Sequence, residues 1–318
     1  MCSLFGIIDY RGMLTAREKN RILSVLAREC EVRGTDATGI AYNVGNRIHV
    51  YKRPVAARKM HFHVPNGVRV IMGHTRMTTQ GSARRNCNNH PWATRDFALA
   101  HNGILQNDIF LRESEPLPPT HIETDSYVAV QLLEQQKALN FQTIRTMAEK
   151  VQGSFVFTIL DRQDNLYFVR GDNPLAIFDY GGFYLYASTD QILDLTEQRL
   201  GLCHRDEIPV SEGDILCIKS DGTCHFSRFQ VQDSWRYGWP YGHAWYWDES
   251  EPTFPYSENY LLDAARSMGV SSDDVQTLIG YGYSADEIEE LLYYPHLLHD
   301  LVSEIRCDQN RREVSAWA

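Results

Sequence analysis

The second residue of the chain is a cysteine, and loss of Met1 would leave a thiol and a free α-amine on the same residue, Cys2. An unperturbed thiol titrates near pH ~8.5 and an α-amine near ~7.7–8.0, so the amine can take the thiol proton directly or through one water. A nucleophile that carries its own base needs no histidine from elsewhere. Four further segments hold residues able to do chemistry, in chain order RGTDATG (Arg33–Gly39), GHTRMTTQG (Gly73–Gly81), HNG (His101–Gly103) and ETDS (Glu123–Ser126). Taken singly, each also fits a local structural role. RGTDATG can be a turn with a salt bridge, Asn102-Gly103 is the commonest hairpin-turn pair, and Thr124-Asp125 can cap a helix.

These residues must be positioned by strands and helices that the pattern of apolar residues implies. Residues 2–9 read as a strand with Cys2 at its very start, and Thr15 to Glu29 shows helical spacing with Ile22, Leu23, Leu26 and Ala27 on one face. Short β runs follow at Gly39–Asn43, Arg47–Tyr51, Val68–Gly73 and Phe97–His101. Two helices are expected next, Thr124–Lys137, opened by Thr124 and Asp125, and Phe141–Val151, closed by Gly153. A strand-rich block then runs through Ser154–Leu160, Leu166–Val169, Ala176–Asp179, Phe183–Ala187 and Asp214–Ile218. Strands on both sides of two helices suggest packed sheets covered by helices.

Composition narrows the class. The 318 residues are 43% hydrophobic, enough for a substantial core, and the net charge of −10 argues against nucleic acid or an anionic membrane surface as a main partner. The seven cysteines are scattered, odd in number and lack a CxxC pair, the usage of a reducing compartment without a disulfide framework or zinc ribbon. His61 and His63 read as a solvated strand pair, because no third ligand is near them, and nothing calls for a metal or cofactor. With no signal peptide and no apolar run near the ~18 residues of a spanning helix, the expectation is a soluble cytoplasmic protein. Composition shifts after about Ser227. Residues 233–260 hold four of the six tryptophans and three prolines, and 258–306 read as short helices, with a capping box at Ser284–Glu287. The expected division is a main domain at 2–227, an aromatic-rich connector at 228–257 and a small helical tail domain at 258–318.

In their order, these segments together are far more specific than any one of them. Over roughly residues 2–220 the chain resembles the class II glutamine amidotransferase domain, an N-terminal-nucleophile hydrolase module, and it looks closest to the glutaminase half of glucosamine-6-phosphate synthase. The resemblance extends through GSFVFTILD (Gly153–Asp161), ASTD (Ala187–Asp190) and EGDI (Glu212–Ile215). It implies an α+β fold, a four-layer αββα sandwich, with the small helical C-terminal domain appended. It also implies roles. Cys2 would attack the side-chain amide of L-glutamine, giving a γ-glutamyl thioester, ammonia and then glutamate. The Asn102 amide and the Gly103 N–H would hold the oxyanion. Arg76 would grip the α-carboxylate through a bidentate fork, with Thr79 adding a hydroxyl, and Asp125 would pair with the α-ammonium. Arg33 and Asp36 would support the surroundings of the nucleophile.

The chain also departs from this pattern. The nearest relatives carry an aromatic where it has Met77 and a histidine where it has Gln80, in a loop expected to close over glutamine, so the coupling of closure to an acceptor is open. His90, in Asn88-Asn89-His90-Pro91, reads as structural. No SGGxDS pyrophosphatase loop, phosphoribosyl-binding strand or sugar-isomerase domain is recognisable. The expectation is therefore a glutaminase subunit serving a separate ammonia-accepting enzyme, with the aromatic segment 233–260 either a docking surface or a satellite core. Two rival readings are a catalytically inactive glutamine-binding scaffold and a hydrolase of another γ-glutamyl amide.

Overall fold

Strands buried on both faces explain why so many of the apolar runs are continuous rather than alternating. The computed structural model describes residues 2–136 and 138–231, and beyond them 270–281 with scattered positions between 262 and 306. Two antiparallel sheets organise the larger part. The first takes β1 (Ser3–Ile8), β2 (Ala37–Val44), β3 (Arg47–Arg53), β4 (Val70–Arg76), β9 (Ala176–Asp179), β10 (Tyr184–Ala187) and β11 (Asp206–Glu207), in the order β11-β9-β10-β1-β4-β2-β3. The second takes β5 (Trp92–Ala93), β6 (Phe97–Leu105), β7 (Gly153–Asp161), β8 (Leu166–Arg170), β12 (Asp214–Ile218) and β13 (Cys224–Arg228), in the order β13-β12-β8-β7-β6-β5. With its helices, the chain is an α+β protein.

Alternation along the central strands sends side chains into three apolar clusters. From β1, Leu4 and Ile8 join Met72 of β4, Val156 and Leu160 of β7 and Phe168 of β8 in a cluster drawn from both sheets. The other face of β1, Phe5 and Ile7, meets Leu23 and Leu26 of helix α1 (Ala16–Glu29) and Ile192 and Leu193 of helix α5 (Asp190–Leu200). Phe157 and Ile159 of β7 meet helix α3 (Tyr127–Glu134) through Val128 and Leu132, and helix α4 (Phe141–Lys150) through Ile144 and Met147. Burying side chains of this size contributes about 1.5–3 kcal/mol each, so sheet spacing and helix placement are fixed together.

Local signals set the helix ends. Thr15 Oγ1 accepts from the Glu18 N–H at 3.2 Å while the Glu18 carboxylate accepts from the Thr15 N–H at 2.8 Å, a reciprocal capping box that starts α1. Asn140 does the same for α4, and Gly201, at φ 68°, ends α5. Two helices were not expected from the sequence, α2 (Asp108–Ser114) and α5. Another starts late: α3 begins at Tyr127 rather than Thr124, because the Asp125 carboxylate is bonded to β6 instead of capping a helix. Asn102-Gly103 lies mid-strand in β6, paired with Val156 and Phe155, and is not a hairpin turn.

The chain divides into two compact units, Met1–Trp239 and Pro240–Ala318. In the second, helix α6 (Ser272–Tyr281) places Val275 and Leu278 in an apolar cluster with Ile288, Leu292 and Leu298. The aromatic segment expected at 233–260 and the capping box at Ser284–Glu287 lie outside the described residues. No helix among the described residues is long and apolar enough to cross a membrane.

Phe168 is fully buried between the sheets, edge-on to Tyr186 at 4.8 Å, whereas Phe226 is 51% exposed on β13. Urea denaturation is expected to show a loss of about 3–5 kcal/mol for Phe168→Ala. Phe226→Ala is expected to stay within about 0.5 kcal/mol of the parent.

Candidate active site

The antiparallel register brings the chemistry-bearing segments to one end of the sheets. Ser3 of β1 pairs with Thr75 of β4, which sets Cys2 beside the last residue of β4, Arg76. The two sheets are bridged at this end, where His74 Nε2 of β4 lies 3.0 Å from the His101 carbonyl of β6. The residue after His101 is Asn102, so β6 carries HNG to the edge of the same cleft. A cleft of ≈ 240 Å³ is lined by Cys2, Arg76, Thr79, Gly103 and Asp125, together with Met77, Gln80, His90, His101, Thr124 and Ser126.

Three contacts hold the start of the chain. The Leu4 N–H donates to Ser188 Oγ at 2.9 Å, the Ser188 N–H donates to the Leu4 carbonyl at 3.0 Å, and Arg33 Nε donates to the Cys2 carbonyl at 3.0 Å. The Cys2 thiol lies 3.5 Å from the Met77 carbonyl. Burial pushes this thiol up, against the pull of the nearby Arg76 charge. A standing thiolate is therefore disfavoured, and the thiol needs a base at the moment of attack.

The charged residues are unusual in what they lack. Arg76, only 2% exposed, donates from Nη1 to Asn89 Oδ1 at 2.7 Å and from Nη2 to the carbonyls of Gln80 and Gly81 at 2.6 and 3.0 Å. All three acceptors are neutral, and among the described residues no carboxylate lies within ion-pair distance. Asp125, 4% exposed, accepts from the Leu105 N–H at 2.6 Å and from the Ser126 hydroxyl at 3.1 Å, and it too has no ion pair among the described residues. His101 Nδ1 lies 2.6 Å from the Ser126 hydroxyl oxygen, which links the ring to Asp125 through that serine.

Asn102 is fully buried just behind the cleft and does not line it. Its Nδ2 makes a 3.3 Å contact with Ser188 Oγ, its Oδ1 has no partner, and its carbonyl accepts from Asn173 Nδ2 at 3.0 Å. Gly103 has φ 141°, and a Cβ built there would stand 1.9 Å from the Ser154 carbonyl, so only glycine fits this point of the strand. Arg33 and Asp36 also stay outside the cleft. Asp36 accepts from the Thr78 N–H at 2.8 Å and so pins the loop that follows Arg76.

Comparison with known proteins points the same way. No family model matches the chain. The glutamine–fructose-6-phosphate aminotransferase (isomerizing) of Bacillus thuringiensis is 28% identical over 222 residues, 64% of this chain and 36% of the relative. That of Oceanobacillus iheyensis is 29% identical over 222 residues, with the same shares covered. Among solved structures, the glutamine phosphoribosylpyrophosphate amidotransferase of B. subtilis with ADP and GMP superposes with a TM-score of 0.58 at 22% identity, covering 73% of this chain and 50% of that one. A structure described as the allosteric regulatory enzyme of purine biosynthesis gives a TM-score of 0.59, also at 22% identity and the same coverage. The solved structures share the fold, and the sequence relatives match over most of the same part of the chain. Over 222 of its residues the chain is similar to glutamine-dependent amidotransferases. It spans only about a third of the length of those sequence relatives.

Several residues that position the amidotransferase site were not singled out from the sequence. Ser188 joins the start of β1 to Asn102, and only its place in the ASTD segment hinted at it. Asn89 holds Arg76 from one side and the Ala83 carbonyl from the other, its Nδ2 donating at 2.8 Å. Lys52 of β3 in turn donates to the carbonyls of Asn89 and Pro91 at 2.5 and 2.9 Å. Nothing local to Lys52 marks it, because these partners lie 37 and 39 positions away in the chain.

Burial pushes the Lys52 ammonium down to about 8. An unfolded lysine keeps its ordinary value near ~10.4. Between these values the unfolded chain binds more protons than the folded one, so this group adds stability as pH rises through the window. Denaturation of the parent and of Lys52→Met at pH 8 and pH 10 should show the parent gaining stability over the variant at the higher pH. A constant difference would mean that the ammonium is not desolvated.

Proposed function

We propose that this domain hydrolyses the side-chain amide of L-glutamine through a γ-glutamyl thioester on Cys2 and delivers the ammonia to a separate acceptor enzyme. The observation that carries this reading is the pairing of two unmatched charges. Arg76 and Asp125, neither of them in direct ion-pair contact with any described residue, line the same small cleft as the Cys2 thiol. Uncompensated buried charges are costly, and a free amino acid supplies the missing partner for each, its carboxylate to Arg76 and its ammonium to Asp125.

With Met1 removed, the Cys2 α-amine takes the thiol proton as sulfur attacks the amide carbon. The resulting oxyanion would be held by the N–H of Gly103, which lines the cleft, and by the Asn102 amide once its side chain turns from Ser188 towards the cleft, donors of a kind that typically contribute ~10²–10³ in rate each. The ammonium then returns its proton to the amide nitrogen as the carbon–nitrogen bond breaks, and ammonia leaves. Water adds to the thioester while the α-amine accepts its proton. Collapse of that intermediate releases glutamate and restores the thiol. Thr79, on the loop, adds a hydroxyl to the carboxylate end, while Arg33 and Asp36 act at one remove by holding the Cys2 carbonyl and the loop.

The helix and sheet clusters support a four-layer αββα arrangement for residues 2–227, followed by a connector at 228–257 and a helical tail domain at 258–318. The relatives' names join glutamine to fructose 6-phosphate, and the chain covers 36% of that protein. The same reading places the acceptor on a partner enzyme and the protein in the cytoplasm.

Intact-mass measurement followed by treatment with 6-diazo-5-oxo-norleucine, a glutamine-like electrophile, tests the reaction. Loss of Met1 and a single adduct at Cys2, absent from Cys2→Ala, are expected. Processed protein that takes no adduct and releases no glutamate, with or without partner, would overturn the reading in favour of an inactive scaffold. Removing the neutral anchor of Arg76 gives a second measure. A hydrogen bond to a charged group is worth about 1.5–3 kcal/mol, so Asn89→Ala should raise KM for glutamine by about tenfold or more while kcat changes little.

A further inference from the structure

The loop after Arg76 has two sides. Met77, Thr79 and Gln80 line the Cys2 cleft, while Thr78, Ser82 and Arg84 line a second, larger and more open cleft of ≈ 520 Å³. The far wall of this outer cleft is the turn from Pro54 to Lys59 that follows β3. In a chain of net charge −10, its rim is locally basic, with Arg58, Lys59 and Arg84 set against the single acid Asp36.

The charges are not equivalent. Arg58 is spent on Glu31, which accepts both from its guanidinium and from its backbone N–H. Asp36 is engaged by the Thr78 N–H. Lys59 and Arg84 are exposed and make no ion pair among the described residues, so they are the cations available to a ligand. A guanidinium and an ammonium across one cleft, with the hydroxyls of Thr35, Thr78 and Ser82 between them and a short apolar floor at Val55 and Ala56, suit a small organic phosphate. The phosphoryl group takes the charges, the hydroxyls donate to its oxygens, and a carbon skeleton rests on the floor.

We propose that this outer cleft binds a phosphomonoester, and that the shared loop transmits its occupancy to Cys2. The mechanical link is short. A ligand held by Thr78 and Arg84 acts on the loop segment whose next residues, Thr79 and Gln80, wall the Cys2 cleft and whose carbonyls hold Arg76. The binding half stands without the glutaminase reaction; the coupling half rests on it.

The test uses the full processed chain in phosphate-free buffer at low ionic strength, where charge pairing is least screened. Isothermal titration calorimetry with orthophosphate, glucose 6-phosphate and acetate is expected to show saturable binding of both phosphates and none of acetate. The Lys59→Gln, Arg84→Gln double variant should weaken phosphate binding by about tenfold or more. Cys2→Ala should bind as the parent does. Saturating glucose 6-phosphate should change the rate at which 6-diazo-5-oxo-norleucine labels Cys2 by about threefold or more in the parent, and leave the double variant unchanged. No saturable phosphate binding, equal binding of acetate, or undiminished affinity in the double variant would overturn the site. An unaltered labelling rate would overturn the coupling. A chain that binds phosphate but whose Cys2 is never labelled would instead count against the glutaminase reading.

Discussion

A guanidinium taken out of water and given only neutral oxygens is an incomplete arrangement, and the organisation of the site follows from it. Arg76 closes β4, and two loop carbonyls and the Asn89 side chain satisfy its N–H groups without cancelling its charge. Keeping it in place takes a chain of supports, with Asn89 fixed through its own backbone by Lys52 and the loop held from outside by Asp36. Across the cleft Asp125 is held in the same spirit, by an N–H from β6 and a serine hydroxyl. Both charges are oriented by dipoles and left free to pair with a ligand.

The nucleophile is placed by a different device. Cys2 stands ahead of β1, and noncovalent bonds to the flanking strands hold it there. Antiparallel pairing of β1 with β4 and β10, the reciprocal Leu4–Ser188 hydrogen bonds and the Arg33 contact fix Cys2 against the end of the sheet. The same Ser188 oxygen reaches Asn102, so Leu4, which follows Cys2 and Ser3, and the proposed oxyanion donor are referred to a common atom. Gly103 completes the arrangement by letting β6 approach β7 closer than a side chain would allow.

Much of this was legible in the order of residues, for physical reasons that differ by element. The helical spacing of Thr15–Glu29 and the apolar runs at the cores of β1, β4, β6 and β7 depend on neighbours in sequence, and these elements were legible there, although β6 runs on through Asn102 and Gly103 to Leu105. Helix α5 was hidden because ASTD drew the eye to its first residues as a motif, although Ile192, Leu193 and Thr196 have helical spacing. The start of α3 was misplaced because Asp125, a good capping residue, finds a better donor 20 positions away in β6. Lys52, Asn89 and Ser188 owe their importance to contacts made across strands, which no window of sequence contains. Which residues carry charge was plain, but that two of them stay unpaired became visible only in three dimensions.

The three histidines at this end of the sheets have a further consequence. His74, His90 and His101 stack with one another or with Trp92 and Phe157, and burial pushes each below the usual imidazole range. They act as uncharged polar rings and take no protons from the cleft near neutral pH. For the proposed reaction this would confine proton traffic to one short track, between the sulfur and the nitrogen of a single residue. A change in acidity within the imidazole range would then leave these three rings of the wall with the same charge.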